Sequence, residues 1–320
     1  MKWAFRLCAI VVLGFLSFGC SRSDDVAGPS TPPLSQLGLF PTERVALVGE
    51  AITLKVTARD LDSADVSGVV PTYSSSNPAV VLIEPGGRIA AKAPGTATVH
   101  ASAGGQTAET IIHVGAATYD VAALGPPRVL DANYIDLSKI ERISRFRSAI
   151  GHSYVDGSGE TCRSMKHYFQ PQQSVDWTEV EVYAPATGTI WLIAPDGAAG
   201  YRLMLRPRNL AALEVTIFHV NVDSGIVKDT WVEAGDRIGR HASPFTMSDI
   251  ATGVGGKSGT LLSYFETMTD AVFEEYRARG VPSREAAMIT KAERDGDPVP
   301  CVAEQQFTFE GTLPNWVDLH

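Results

Sequence analysis

Residues 179–193 read EVEVYAPATGTIWLI, and residues 215–242 read VTIFHVNVDSGIVKDTWVEAGDRIGRHA. Both stretches alternate apolar with polar residues and are rich in Val and Ile. They break at glycines, where a strand must turn. A period of two buries one face of a sheet, so this part of the chain is expected to be β structure.

The chain's 320 residues leave room for two domains and appendages. A hydrophobic fraction of 44% with 20% charged residues describes a globular chain and not a disordered one. The net charge of −9 argues against nucleic acid as a partner. The small basic cluster Lys139, Arg142, Arg145 and Arg147 reads as a solvated face.

Lys2 and Arg6 precede an apolar run, LCAIVVLGFLSFG, that is too short to span a bilayer and has the make-up of a secretory signal over 1–19. Cys20 follows Phe-Gly and precedes a polar, proline-bearing stretch, an arrangement that resembles a bacterial lipoprotein cleavage site. Ser17 stands at −3, where such sites usually carry Leu. The resemblance implies lipidation of Cys20, a flexible tether over 20–38, and anchoring in the cell envelope. With Ser21 next to the cysteine, the outer membrane is the expected address, and the lipid the one membrane contact. Cys8 lies in the signal. Cys162 and Cys301 then remain as a pair in an oxidising compartment, so a disulfide is expected.

Residues 39–115 break into short strands between turn residues, with Pro-Gly-Gly at 85–87 and Pro-Gly at 94–95. The run SSNPAVVLI…GRIAAKAPGTATVHA resembles bacterial immunoglobulin-like group 2 domains, which implies a small β-sandwich acting as a stalk. His100 and His113 sit in strand patterns far from any acid pair and are read as structural. A connector follows over 116–145, where Ile140, Ile143 and Phe146 recur three apart and predict a short helix opening at Ser138. The tail, 267–320, is read as a helical extension. It has one helix over DAVFEEYRARG, a second starting at a Ser283 cap, and a closing strand near Trp316.

The pattern "v.AP..G.I" followed by "fH.n......v..GD.IG" resembles the β-barrel core of lysostaphin-type zinc metallopeptidases over 146–266. The fold class expected is therefore mainly β: an immunoglobulin-like sandwich, a lysostaphin-like β-barrel or sandwich, and a helical C-terminal extension. Lipoyl and biotinyl carriers share the pattern, but no lysine stands in a suitable turn. The resemblance implies a site built from a His and an Asp four apart, a catalytic His after a strand, and a late His-x-His. His219 in TIFHVN matches the catalytic His. The late motif aligns with residues 262–266, where Leu262 and Tyr264 replace both histidines; neither substitutes for imidazole as a zinc ligand. For the first motif His152 and Asp156 have the spacing, whereas His167 has the place but meets Pro171 where the Asp belongs. His241 is a further candidate.

At most two or three ligands can be assembled from these residues, and a site keeping only His219 and one upstream group falls short of the three that a catalytic zinc uses. The function expected is thus a non-catalytic, peptidase-like envelope lipoprotein that binds peptidoglycan or a wall enzyme, with no cofactor. Arg163, Lys166, Tyr168 and Tyr264 are the expected ligand-binding residues, supplying donors and aromatic faces. One alternative is an active zinc hydrolase of peptidoglycan cross-links with relocated ligands. The other is a structural or adhesive surface protein.

Overall fold

The computed structural model describes residues 33–255, 259–302 and 306–320; the signal stretch and Cys20 lie outside them. The chain is mainly β. Its first nine strands are β1 (Leu34–Phe40), β2 (Glu43–Leu47), β3 (Ala51–Ile52), β4 (Lys55–Asp60), β5 (Thr72–Ser75), β6 (Val81–Ile83), β7 (Ile89–Ala91), β8 (Gly95–Ala103) and β9 (Gln106–Gly115). They form a four-stranded sheet β2-β9-β8-β5, a three-stranded sheet β3-β7-β6 and a separate pair β1-β4. Ile52, Val81 and Ile89 from the smaller sheet pack with Ala46, Val99 and Ile112 from the larger. β2 runs parallel to β9, from Glu43 opposite Ile111 to Leu47 opposite Gly115. β1 begins inside the stretch expected to be tether, because Leu34, Leu37 and Leu39 are buried beside Ala58 and Ala101.

After α1 (Val121–Leu124) the expected helix at Ser138 is a single 3-10 turn, Leu137–Lys139, followed by β10 (Ile140–Ser144). The spacing of three misleads for a local reason. The register of β10 against its neighbour shifts between Ile140 and Arg142, so Ile140 and Ile143 are both buried although they lie three apart on a strand.

The remaining strands are β11 (His167–Pro171), β12 (Glu181–Tyr183), β13 (Gly188–Pro195), β14 (Tyr201–Pro207), β15 (Leu213–Val222), β16 (Thr230–Val232), β17 (Arg237–His241), β18 (Ser248–Val254), β19 (Thr260–Leu262) and β20 (Trp316–Asp318). They join in one sheet of order β16-β13-β14-β15-β18-β11-β10-β20, with β17 and β19 as side branches on β15 and β18 and β12 paired to β17. The expected barrel does not close among the described residues: β16 and β20 end the path unpaired with each other.

One face of this sheet carries the main core, where Phe169, Ile217 and Ile250 meet Tyr134, Phe265 and Tyr276. Tyr264 belongs here too. The strand expected to carry it stops at Leu262, and Ser263 caps α2 (Tyr264–Thr267) with Glu266 closing a capping box. In the tail, α3 (Asp270–Arg277) is as expected, but the second helix is divided. A 3-10 turn, Glu285–Ala287, precedes α4 (Lys291–Gly296), which is capped by Thr290 and not by Ser283. β20 then pairs antiparallel with β10. Cys162 and Cys301 form the expected disulfide, with α-carbons 5.4 Å apart.

Candidate functional site

The site grows from the register of three neighbouring strands. Tyr168 of β11 stands opposite Asp249 of β18, and Asp249 stands opposite Phe218 of β15. Side chains directly opposite one another share a face, so these three form a row across the sheet. The next residues along, His167, Ile250 and Ile217, point to the core side.

Lys166 lies on the same face as Tyr168, two residues away. Its ammonium is ion-paired with Asp249 Oδ2. Three rings surround it, with centroids 4.4 Å (Phe218), 4.8 Å (Tyr168) and 5.2 Å (Tyr154) from Nζ. Lys166 is 2% exposed and Asp249 wholly buried, so neither charge has water to solvate it. Burial opposes the ammonium, but the Asp249 carboxylate outweighs it and raises the lysine above its usual range. Burial next to this pair pushes the Tyr168 phenol up to about 12.

His219 reaches the same spot by a bulge. The β14–β15 register passes from Leu203 opposite Ile217 to Tyr201 opposite Val220, so Phe218 and His219 together oppose one residue. His219 takes φ +59°, a left-handed conformation that a histidine rarely adopts. Two consecutive side chains thereby approach Asp249. Nε2 of His219 lies 3.7 Å from Asp249 Oδ1, and Nδ1 lies 3.0 Å from Asp196 Oδ2 without the alignment of a hydrogen bond. His241 is buried behind it, ring centroids 6.4 Å apart, and donates from Nε2 to the Thr246 carbonyl at 2.6 Å.

The residues expected from the sequence are distributed as follows. His152 is in the site: Nδ1 donates to the Ser153 carbonyl at 2.9 Å, and Nε2 lies 3.2 Å from Lys166 Nζ. Burial, then the nearby lysine charge, hold its pKa below the ordinary value. Asp156 is elsewhere, accepting from the Leu261 amide at 2.8 Å. His167 is no ligand. It faces the core, with Nδ1 donating to the Ser144 carbonyl and Nε2 accepting from the Ser263 hydroxyl, each at 2.8 Å. Complete burial lowers its pKa to about 4.

Of the expected ligand-binding side chains, Arg163 is bonded to Glu160 and Asp295. Lys166 and Tyr168 serve the internal pair just described, and Tyr264 is core. Burial turned each inward. No sequence pattern singles out Asp249, Asp196 or Tyr154. The available signal was Asp249 itself, a lone acid in the small, apolar strand SDIATGV.

Zinc does not fit these residues. Among the described residues no three His, Cys, Asp or Glu side chains are grouped closely enough to hold a metal ion. The one buried carboxylate of the site is already neutralised by an ammonium.

Beyond the pair, the same face opens into a cleft of about 310 Å³ lined by Tyr154, Asp156, Arg202, Glu214, Thr216 and Leu261. Burial raises the Glu214 carboxyl above its ordinary range, with Arg206 and Arg202 pulling the other way. Tyr154 is shared by cleft and ammonium, so the two are continuous.

No family model and no curated protein matches the chain. Among solved structures it is similar to Helicobacter pylori Csd3, with TM-score 0.34 and 12% identity over 70% of this chain and 55% of that one. A zinc-containing peptidase from Vibrio cholerae gives 0.33 and 11%, over 68% and 78%. A putative peptidase M23 from Pseudomonas aeruginosa gives 0.25 and 14%, over 62% and 89%. The chain thus spans little more than half the length of the Helicobacter protein. Likeness at this level assigns no residue a role.

Proposed function

We propose that this is a cell-envelope protein whose peptidase-like sheet binds wall peptide or a wall enzyme without hydrolysing it. The reading is carried by the Lys166 ammonium, buried on Asp249 beside His219. A hydrolytic zinc needs three protein ligands and an open position. A dication placed about 4 Å from a lysine charge would be repelled by roughly 8 kcal/mol at an effective dielectric of 20. Catalysis is therefore forfeited while the cleft remains. In it Arg202 offers a carboxylate partner, and Asp156 and Glu214 offer partners for an ammonium, the end groups that a branched peptide presents.

Purified mature protein should be retained on isolated sacculi, contain well under one equivalent of zinc, and release no muropeptides with or without added zinc. Arg202→Ala with Glu214→Ala should weaken retention. Muropeptide release on adding zinc would establish the hydrolase instead. Absence of retention would leave the structural or adhesive role.

A further inference from the structure

The same face of the large sheet carries a second cleft, toward its β20 edge. Arg142 of β10 stands opposite Gln170 of β11, and Gln170 lies two residues beyond Tyr168, so both share the face of Tyr168 and Asp249. With Trp316, Met247, Phe307 and Glu310 they line a space of about 370 Å³. That falls within the roughly 300–1,000 Å³ of small-ligand sites.

One buried residue fixes the walls from behind. Asn315 is 6% exposed. Its Oδ1 accepts from the Ala149 amide at 2.9 Å and from Arg294 at 3.1 Å, and its Nδ2 donates to the Glu310 carbonyl at 2.9 Å. Ala149 opens the turn whose Gly151 packs so closely on Tyr168 that a Cβ there would overlap the phenol. The cleft is therefore formed in advance, and a ligand has little to order.

Arg142 is held but not neutralised. Its Nε and Nη2 donate to the same oxygen, Gln170 Oε1, at 3.0 and 2.9 Å, and its Cζ sits 4.2 Å from the Trp316 ring centroid. The register places Asp318 directly opposite Arg142, where an acid commonly takes a cross-strand arginine. Among the described residues Arg142 nevertheless makes no ion pair, and its guanidinium lies over the indole. The Nη1 side of the fork is left for a planar anion.

The neighbours select the rest of the ligand. Gln170 spends its oxygen on Arg142 and keeps Nε2 to donate. Glu310 is exposed and accepts. Phe307 and Trp316 offer flat apolar faces. A simple aliphatic acid matches Arg142 alone, and a neutral sugar leaves the arginine unmatched. A hydroxylated ring bearing a carboxylate matches them all. We propose that this cleft binds an acidic saccharide, its carboxylate on Arg142, its hydroxyls on Gln170 and Glu310, and its C–H face against Phe307 and Trp316.

The test is calorimetry on the full mature chain with tri-glucuronate as the probe, beside a neutral glucose trisaccharide and acetyl-Ala-Ala. Tri-glucuronate should bind at least about 10-fold more tightly than either. Arg142→Gln should lower its affinity about 10–100-fold in a protein that still melts cooperatively. Glu310→Ala, a change at an exposed side chain, should lower it about 2–10-fold. Trp316→Phe should remove the sugar-induced change in tryptophan emission. No saturable binding of tri-glucuronate, equal binding of the neutral sugar, or unaltered affinity in Arg142→Gln each overturns the proposal. Binding of acetyl-Ala-Ala as tight as that of tri-glucuronate overturns it in favour of a peptide C-terminus. Should Arg142→Gln not fold, unaltered affinity in both Glu310→Ala and Phe307→Ala overturns it instead. Arg202 and Glu214 line the other cleft, and sacculus retention is a separate measurement, so failure of wall binding and failure of the saccharide site are told apart.

Discussion

Replacing Lys166 by Met should cost about 3–5 kcal/mol of folding stability. The side chain is 2% exposed and its partner Asp249 has no exposure at all, so the change leaves a carboxylate buried without compensation. The three rings around Nζ would also lose a desolvated cation. At roughly 2–4 °C per kcal/mol for a unit of this size, melting should fall by about 10 °C. Urea denaturation of the parent, the two single variants and Lys166→Met/Asp249→Leu gives the coupling energy. The double variant should recover most of the loss, because the cost lies in the orphaned charge and not in the missing contact. A single variant within about 1 kcal/mol of the parent would refute this account, and so would a double variant no better than the single ones.

Further outcomes follow from other features. His167, neutral in the fold with a pKa near 4, should make the protein acid-sensitive. Its folded pKa lies below the unfolded value of about 6.5, so stability is full above that pH. About 3 kcal/mol should be lost as the pH falls through the interval down to 4. His167→Gln, able to bridge Ser144 and Ser263, should flatten the pH dependence of urea unfolding. Reducing the Cys162–Cys301 bond, which closes a 139-residue separation, should cost about 4–5 kcal/mol on the chain-entropy account, read as a lower urea midpoint. If Cys20 is the lipid acceptor, Cys20→Ala should move the protein from the membrane to the soluble fraction on cell fractionation.

The sheet was largely legible. β12, β16 and β17 lie within the alternating runs of 179–193 and 215–242, β13 and β15 overlap them by most of their length, and the disulfide follows from compartment and cysteine count. The position of His219 on a strand is legible because that strand is strongly patterned. The partners of His219 were not legible, since β11, β18 and β15 are neighbours in space but far from consecutive in the chain. Lys166 looked like a donor for a ligand; only the sheet order reveals that Asp249 takes it. Tyr264 failed for another reason. The capping box of Ser263 and Glu266 ends the strand at Leu262, two residues before Tyr264, and the ring lies in the core.

The parallel pairing of β2 with β9 has a mechanical meaning. A pull applied at the N-terminal side of β2 and at the end of β9 draws the two strands past each other along their length. Five residue pairs, from Glu43–Ile111 to Leu47–Gly115, then bear the load together and do not peel one at a time. Beyond Gly115 the load passes into the large sheet. There the Val45 amide is bonded to the Thr189 hydroxyl at 2.8 Å, and Arg206 grips Glu50 at 3.0 Å. The first sheet is thus built as a tension-bearing link, resisting shear between whatever lies before Leu34 and the groove that follows.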